Sequence, residues 1–386
     1  MKIGVITFWY GYENYGMMLQ CWALQEFLKA QGHHPFVIRF HAEIYKTPAR
    51  KRKEALILYP ILRYIYRKCI FLLHYKENKN QYSKISRRGF ETFRKTHLSL
   101  SPRTYSTLQQ IQKNPPQADC YIVGSDQVWS QLISNPNNRA YFLDFGKHSV
   151  KRIAYAPSFG LPDYPIELKE NLRKCLSNFD AISVRENAGI DICSSLGYKV
   201  TKTLDPTLLL DKSIYLELFK DINQTESDFI FIYCLNISSP EDIRYQELKK
   251  LADTNKKNLY VTPGKGYKAS TELFPKDEVN YSYDTIEEWL SHIYHSSLVV
   301  TSSFHGIVLS IILEKDFIYV PLKGEFAHTN NRVLDLLKDL ELEERILNKN
   351  STYSQIFKTS ISWLSVGKKL YKLKKESTDF LFENLR

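Results

Sequence analysis

Four groups of polar residues in this chain each follow a short apolar run: Asn14 with Gly16, Ser125 with Asp126, Arg185 with Glu186, and Ser302 with Ser303 and His305. Hydroxyl, imidazole, guanidinium and carboxylate groups are the types that bind an anion, orient a substrate hydroxyl and move a proton. Arg185 suits a small, doubly charged anion, because its planar fork bonds a carboxylate or phosphate bidentately. Asp126 is placed to orient a sugar hydroxyl or take its proton, and the imidazole of His305 is a side chain of the type that serves as a general acid. Each residue also has a plain structural role: an Arg185–Glu186 ion pair, an Asp126 helix cap, a core histidine. Their coincidence at predicted strand ends is what favours a site, since ligands of open parallel sheets bind beyond the carboxyl ends of the strands.

The elements that must position them alternate from the first residue, the pattern of parallel α/β layers. Residues 3–8 read as a strand, 17–30 as a helix with Leu19, Ala23, Leu24, Phe27 and Leu28 inward, and 36–40 as the next strand, making one βαβ unit. Further strands are predicted at 119–123, 152–156, 181–184 and 198–204, the third of these running into Arg185. After Asp205-Pro206-Thr207 and a polar patch at 221–228, the alternation resumes: strands at 229–235 and 258–262, a helix at 284–296, and the strand Leu298-Val299-Val300-Thr301. The turn Ser302-Ser303-Phe304-His305-Gly306 then precedes a short buried helix at 307–313, with Gly306 admitting close approach of the backbone.

At 386 residues the chain exceeds what one hydrophobic core usually supports. The expected fold class is α/β, with two Rossmann-like domains facing a cleft. The expected units are residues 1–210, carrying a basic helical insertion at about 46–103, residues 211–355, and a helical tail at 356–386. Hydrophobic residues at 43% and charged ones at 25% describe a soluble globular chain, and no run of about 18 uncharged apolar residues predicts a spanning helix. The chain opens directly on a strand, so no secretory signal is read. The six scattered cysteines form neither a C-x-x-C pair nor a zinc-like grouping, as expected of reduced thiols in a cytoplasm.

The net charge of +11 is concentrated in one segment. Between Arg50 and Arg103 fifteen Lys or Arg face Glu54, Glu77 and Glu91, which leaves the rest of the chain near neutral. Within it, residues 56–75 interleave Leu, Ile, Tyr and Phe with Arg63, Arg67, Lys68 and His74. Such a helix lies in a membrane interface, or packs its apolar face on its own domain while its basic groups reach water. No nucleic-acid-binding motif accompanies the charge, and nucleic acid is not an expected partner. Other general chemistries are also poorly matched: Gly11 to Gly16 is not G-x-G-x-x-G, Gly264-Lys265-Gly266 lacks the P-loop spacing, and no G-x-S-x-G or H-E-x-x-H occurs. Neither a metal nor a cofactor is predicted.

Several ordered strings give this chain a resemblance to the polysaccharide pyruvyl transferases, and the likeness runs nearly end to end. They are the opening from Ile3 through Asn14-Tyr15-Gly16 to Leu19-Gln20 and Ala23-Leu24-Gln25; Gly124-Ser125-Asp126-Gln127-Val128-Trp129; Ser183-Val184-Arg185-Glu186; Leu204-Asp205-Pro206-Thr207; and Thr301 to Gly306. The resemblance implies a GT-B-like pair of Rossmann-like domains in a transferase. Such an enzyme moves the enolpyruvyl unit of phosphoenolpyruvate onto a sugar of a bacterial surface polysaccharide repeat unit, forms a pyruvate ketal and releases phosphate. It further implies a donor side in the C-terminal half and an acceptor side in the N-terminal half. Where many members carry R-L-H, this chain has Ser303-Phe304-His305, so another cation must help hold the donor: Arg185, Lys323 or a residue of the basic segment.

The expected site is therefore catalytic His305, Arg185 and Asp126; donor-binding Arg185, Ser302, Ser303, His305, Gly306 and Lys323; and acceptor-binding Tyr12, Asn14, Gln20, Ser125, Asp126 and Trp129. The expected partners are phosphoenolpyruvate and a glycan acceptor. If that acceptor is lipid-diphosphate-linked, the basic segment would meet it at the inner face of the cytoplasmic membrane. A GT-B glycosyltransferase using a nucleotide sugar is the alternative, because fold alone does not decide between the two.

Overall fold

Two all-parallel sheets organise the protein in the computed structural model, which describes residues 1–11, 13–43, 83–130, 135–223, 226–264 and 272–386. The first has seven strands in the order β3-β2-β1-β4-β5-β6-β7 and the second five, in the order β10-β9-β8-β11-β12. The N-terminal strands are β1 (Lys2–Ile6), β2 (His34–Phe40), β3 (Leu100–Tyr105), β4 (Cys120–Val123), β5 (Lys151–Ala154), β6 (Ala181–Val184) and β7 (Thr201–Lys202). The C-terminal ones are β8 (Ile230–Tyr233), β9 (Leu259–Val261), β10 (Asn280–Tyr281), β11 (Leu298–Thr301) and β12 (Phe317–Tyr319). Central strands such as β4 and β11 are buried at every position, which is why they read as continuous apolar runs rather than alternating ones.

Two features depart from the sequence reading. The stretch read as the end of a basic helical insertion contains the helix Phe90–His97, whose Phe90 and Phe93 are buried, and the edge strand β3. Its residues 44–82, including the expected membrane-interface helix, lie outside the described residues. The helix after β11 begins at Phe304 rather than 307, because Ser303 caps it by accepting the Gly306 N–H (3.3 Å). His305 therefore stands in the first helical turn.

The two halves share one apolar cluster, running from Ile3 and Val5 of β1 through the helix Tyr15–Ala30 to Trp289, Phe304 and Tyr319. Tyr15 stacks on Trp289 (centroids 5.0 Å apart) and its hydroxyl donates to the Asp284 carbonyl (2.7 Å). Buried Arg88 adds a further tie, donating to the Pro263 carbonyl (2.5 Å). The C-terminal helix Trp363–Asn384 then crosses back to the N-terminal half: the Leu204 N–H donates to Ser377 (2.9 Å), and Phe382 stacks on Phe27. This return of the tail, with the shared core, brings the carboxyl ends of the two sheets together.

Candidate active site

The carboxyl ends of β4, β6, β7 and β11 deliver Ser125 and Asp126, Arg185 and Glu186, Asp205, and Phe304 and His305 to one region. Asp205 is its hub. Its Oδ2 accepts from Arg185 Nη1 (2.8 Å) and Ser125 Oγ (3.0 Å), and its Oδ1 accepts from the Thr207 N–H (3.1 Å) and hydroxyl (2.6 Å). His305 Nε2 lies 3.5 Å from the same Oδ2, long for a hydrogen bond but close enough for strong attraction to a protonated ring. Burial alone would raise the Asp205 pKa. The nearby His305 ring, the Arg185 guanidinium and Thr207 outweigh it and hold the carboxyl well below the usual carboxylate range. Burial works against the Arg185 charge too, yet Asp205 and Glu186 raise its pKa above the ordinary arginine value.

Hydrogen bonding at this hub is incomplete. Among the described residues, five of the twelve buried side-chain polar atoms without a hydrogen-bond partner lie here: Arg185 Nε and Nη2, Glu186 Oε2, His305 Nε2 and Arg332 Nε. Buried polar groups are normally satisfied, so such a concentration makes this region a candidate binding site. Arg185 and Arg332 both lie against the Phe304 ring, with guanidinium carbons 4.5 and 5.8 Å from its centroid. With Asp205, Leu208 and Ser377 they line a cavity of about 100 Å³. A second, wider cleft of about 670 Å³ is lined by Asn14, Asp126, Trp9, Tyr10, His41 and Tyr141, among others. Asp126 lines the wider cleft, and its charge favours the charged form of both arginines.

The predicted residues therefore separate into distinct groups. Arg185, His305 and Ser125 are brought together by Asp205; Asp126 and Asn14 border the wider cleft. Asp126 has φ 68°, a left-handed conformation that a short polar side chain tolerates, and its Oδ1 accepts from the Gln127 N–H (2.8 Å). Asn14 caps the helix Tyr15–Ala30, accepting from the Met17 N–H. His305 lines neither cavity: it is 7% exposed and packs against Gly16, where an added Cβ would overlap its ring.

Trp129 and Gln20, expected to meet the acceptor, are fully buried instead. Trp129 stacks on Phe142 and donates to the Tyr141 carbonyl (2.9 Å), so neither ring face is open to a sugar. Gln20 is consumed by Thr7, the Phe8 and Met17 carbonyls and the Ser125 N–H. Among the expected donor contacts, Ser302 is held by the Leu235 N–H and carbonyl, Ser303 caps its helix, and Gly306 gives room to the Thr301 side chain rather than to a ligand. Lys323 is exposed and outside the arginine-lined cavity. Tyr12 lies outside the described residues.

Asp205 and Arg332 are the site residues that sequence reasoning missed. Asp-Pro-Thr reads as a turn, and Arg332 opens an ordinary amphipathic helix, Asn331–Leu340. The ordered string Leu204 to Thr207 was the available signal for Asp205; nothing local marked Arg332.

The chain is similar in fold to UDP-N-acetylglucosamine 2-epimerase from Rickettsia bellii (TM-score 0.53, 9% identity, covering 99% of this chain and 96% of that one). It is similar also to UDP-GlcNAc 2-epimerase from Neisseria meningitidis (TM-score 0.51, 11% identity, covering 100% and 99%). At these identities the likeness is one of fold, two Rossmann-like halves of the GT-B type. No curated protein sequence matches the chain significantly. The family description "Polysaccharide pyruvyl transferase" matches residues 14–323, a span that includes every strand from β2 to β12 together with Ser125, Arg185, Asp205 and His305. The chain belongs to the polysaccharide pyruvyl transferase family.

Proposed function

We propose that the protein transfers the pyruvyl unit of phosphoenolpyruvate to a sugar of a surface polysaccharide repeat unit, forming a pyruvate ketal and releasing phosphate. The observation that carries this reading is the meeting of His305 with the Asp205–Arg185 pair beside unpartnered guanidinium nitrogens, in a chain of this family. Donor anions belong with the arginines, and the sugar belongs in the cleft bordered by Asn14 and Asp126.

The chemistry follows from the donor. His305, protonated, gives its proton to the methylene carbon, and the adjacent carbon becomes oxocarbenium-like, with Asp205 nearby as counter-charge. A sugar hydroxyl attacks that carbon and returns its proton to the imidazole. Phosphate leaves against the arginines, and a second hydroxyl closes the ring, its proton departing on the phosphate. A positioned acid contributes roughly a hundredfold to ten-thousandfold in rate, and cationic donors stabilise the leaving dianion. Since His305 is packed against Gly16, proton delivery also requires that contact to part.

Thermal unfolding with phosphoenolpyruvate, pyruvate, phosphate and a panel of nucleotide sugars tests the reading, because a ligand selective for the native state raises the midpoint. A rise with phosphoenolpyruvate that His305 and Arg185 variants lose supports pyruvyl transfer. A rise with nucleotide sugars alone replaces it by glycosyl transfer.

The acceptor is proposed to be lipid-diphosphate-linked, with the basic segment between Arg50 and Arg103 holding a cytoplasmic enzyme at the inner membrane face. No helix among the described residues is long and apolar enough to cross a membrane. Neutralising the segment's lysines and arginines should reduce co-sedimentation with anionic vesicles; unchanged sedimentation rejects the membrane role.

A further inference from the structure

Arg332 stands on the C-terminal half, at the start of the helix Asn331–Leu340, and Arg185 on the N-terminal half, directly after β6. The two guanidinium groups flank Phe304 and line one small cavity. Like charges repel, and burial together with Arg185 lowers the Arg332 pKa. The carboxylates around them do not use up their donors. Asp205 is saturated by Ser125, Thr207 and one nitrogen of Arg185. Glu186 accepts from the Phe159 N–H through Oε1, and its Oε2 lies 3.7 Å from Arg185 Nε. Asp126 accepts from Gln127. Arg185 Nη2 and Arg332 Nε remain without partners, and the Arg185 side chain is only 3% exposed. Two cations kept adjacent with open donors form a receptor for a dianion.

We propose that Arg332 is a donor-binding residue that closes a two-arginine clamp with Arg185 on the phosphoryl group of the donor, one arginine from each half of the molecule. The inference rests on the phosphoenolpyruvate reading above. It supplies the cation that Ser303 does not, and it assigns that role to neither Lys323 nor the basic segment. The Asn187 N–H donating to Asp335 (2.8 Å) and the Lys202–Asp339 pair (2.6 Å) dock the same helix on the N-terminal half, so Arg332 reaches the cavity from a fixed support.

The test is calorimetric titration of phosphoenolpyruvate, inorganic phosphate and pyruvate into the full chain and into the variants Arg332→Gln, Arg332→Lys and Lys338→Gln, each with its melting temperature recorded. Arg332→Gln should weaken phosphoenolpyruvate and phosphate by about ten- to a hundredfold, the range for a lost charge-assisted contact, and leave pyruvate within twofold. Arg332→Lys should recover part of the loss. Lys338→Gln, which removes an exposed cation of the same helix outside the cavity, should bind the donor within twofold of wild type. If wild type binds phosphoenolpyruvate and Arg332→Gln, still folded, binds it equally well, the clamp is wrong and the function stands. An equal loss in Lys338→Gln also overturns the clamp, because the general charge of the helix would then account for it. If wild type binds a nucleotide sugar and no phosphoenolpyruvate, the functional reading fails and takes the clamp with it.

Discussion

Gly16 and His305 lie face to face across the join between the two halves, and the absence of a side chain on one is what admits the ring of the other. Gly16→Ala sets two effects against each other. Alanine favours the helix Tyr15–Ala30 by up to about 1 kcal/mol, whereas overpacking costs roughly 1–3 kcal/mol. Overpacking wins, because the added methyl overlaps His305 at Cβ, Cγ and Nδ1, atoms too near the backbone to swing aside. Chemical denaturation should register a net loss of stability in this variant. His305→Gln is the complementary change: it keeps the volume and removes the titrating group, so folding should survive while turnover falls by at least a hundredfold. Wild-type phosphate release by this variant would return His305 to a packing role. Trp129 tests the other direction. As a buried core ring it should cost about 3–5 kcal/mol on truncation to alanine, whereas an acceptor platform would raise KM and leave the denaturation midpoint in place.

At the level of elements, the segment after β11 shows how a motif divides between architecture and chemistry. Ser303 is committed to the first turn of the helix Phe304–Ile312, and Ser302 ties β11 to the chain leaving β8. Ser303→Ala should lower stability by about 1 kcal/mol, the usual worth of a cap, with donor affinity unchanged in titration. A tenfold loss of affinity would restore the serine to the binding site. The same helix start sets His305 in the first turn, where its ring faces Asp205 and Gly16 rather than open solvent. Element existence was easiest to read where both faces of a strand are buried, as in β4, β8 and β11. It was hardest at edges. Strand β3, with the sequence LSPRTY, is part-exposed, contains Pro102 and sits at the end of a strongly basic stretch, so neither period nor composition announced it. Strand β10 is two residues long and offers no pattern at all.

For the whole molecule, stability is tied to the ionisation of carboxylates buried at the join. Asp205 and Asp284 both titrate below their ordinary range: in each, burial opposes ionisation but is outweighed, by His305, Arg185 and Thr207 in one case and by His292, Ser282 and Thr262 in the other. A depressed folded-state pKa contributes stability that is fully present above the unfolded value near 4 and is lost as pH falls through the folded value. Urea midpoints should therefore hold from neutrality to about pH 5 and decline below it. In Asp205→Asn the acid decline should be shallower and the stability at neutral pH lower by roughly 3–5 kcal/mol, since Arg185 keeps its charge without its partner. An unchanged midpoint at pH 7 would show that Arg185 finds another counter-ion. Apolar periodicity and strand-end chemistry are local and need no partner, so the alternation of strands and helices, the α/β class and the positions of Ser125 and Arg185 at strand ends were legible along the chain. Which of those residues meet depends on packing between distant segments. Asp205 gathers groups 20, 80 and 100 positions away in the chain. Arg332 arrives from a different half, and Trp129 turns inward because its neighbours in space are Phe142 and Phe159. Such choices depend on long-range packing, where burial and charge pairing between distant segments settle what a motif contributes.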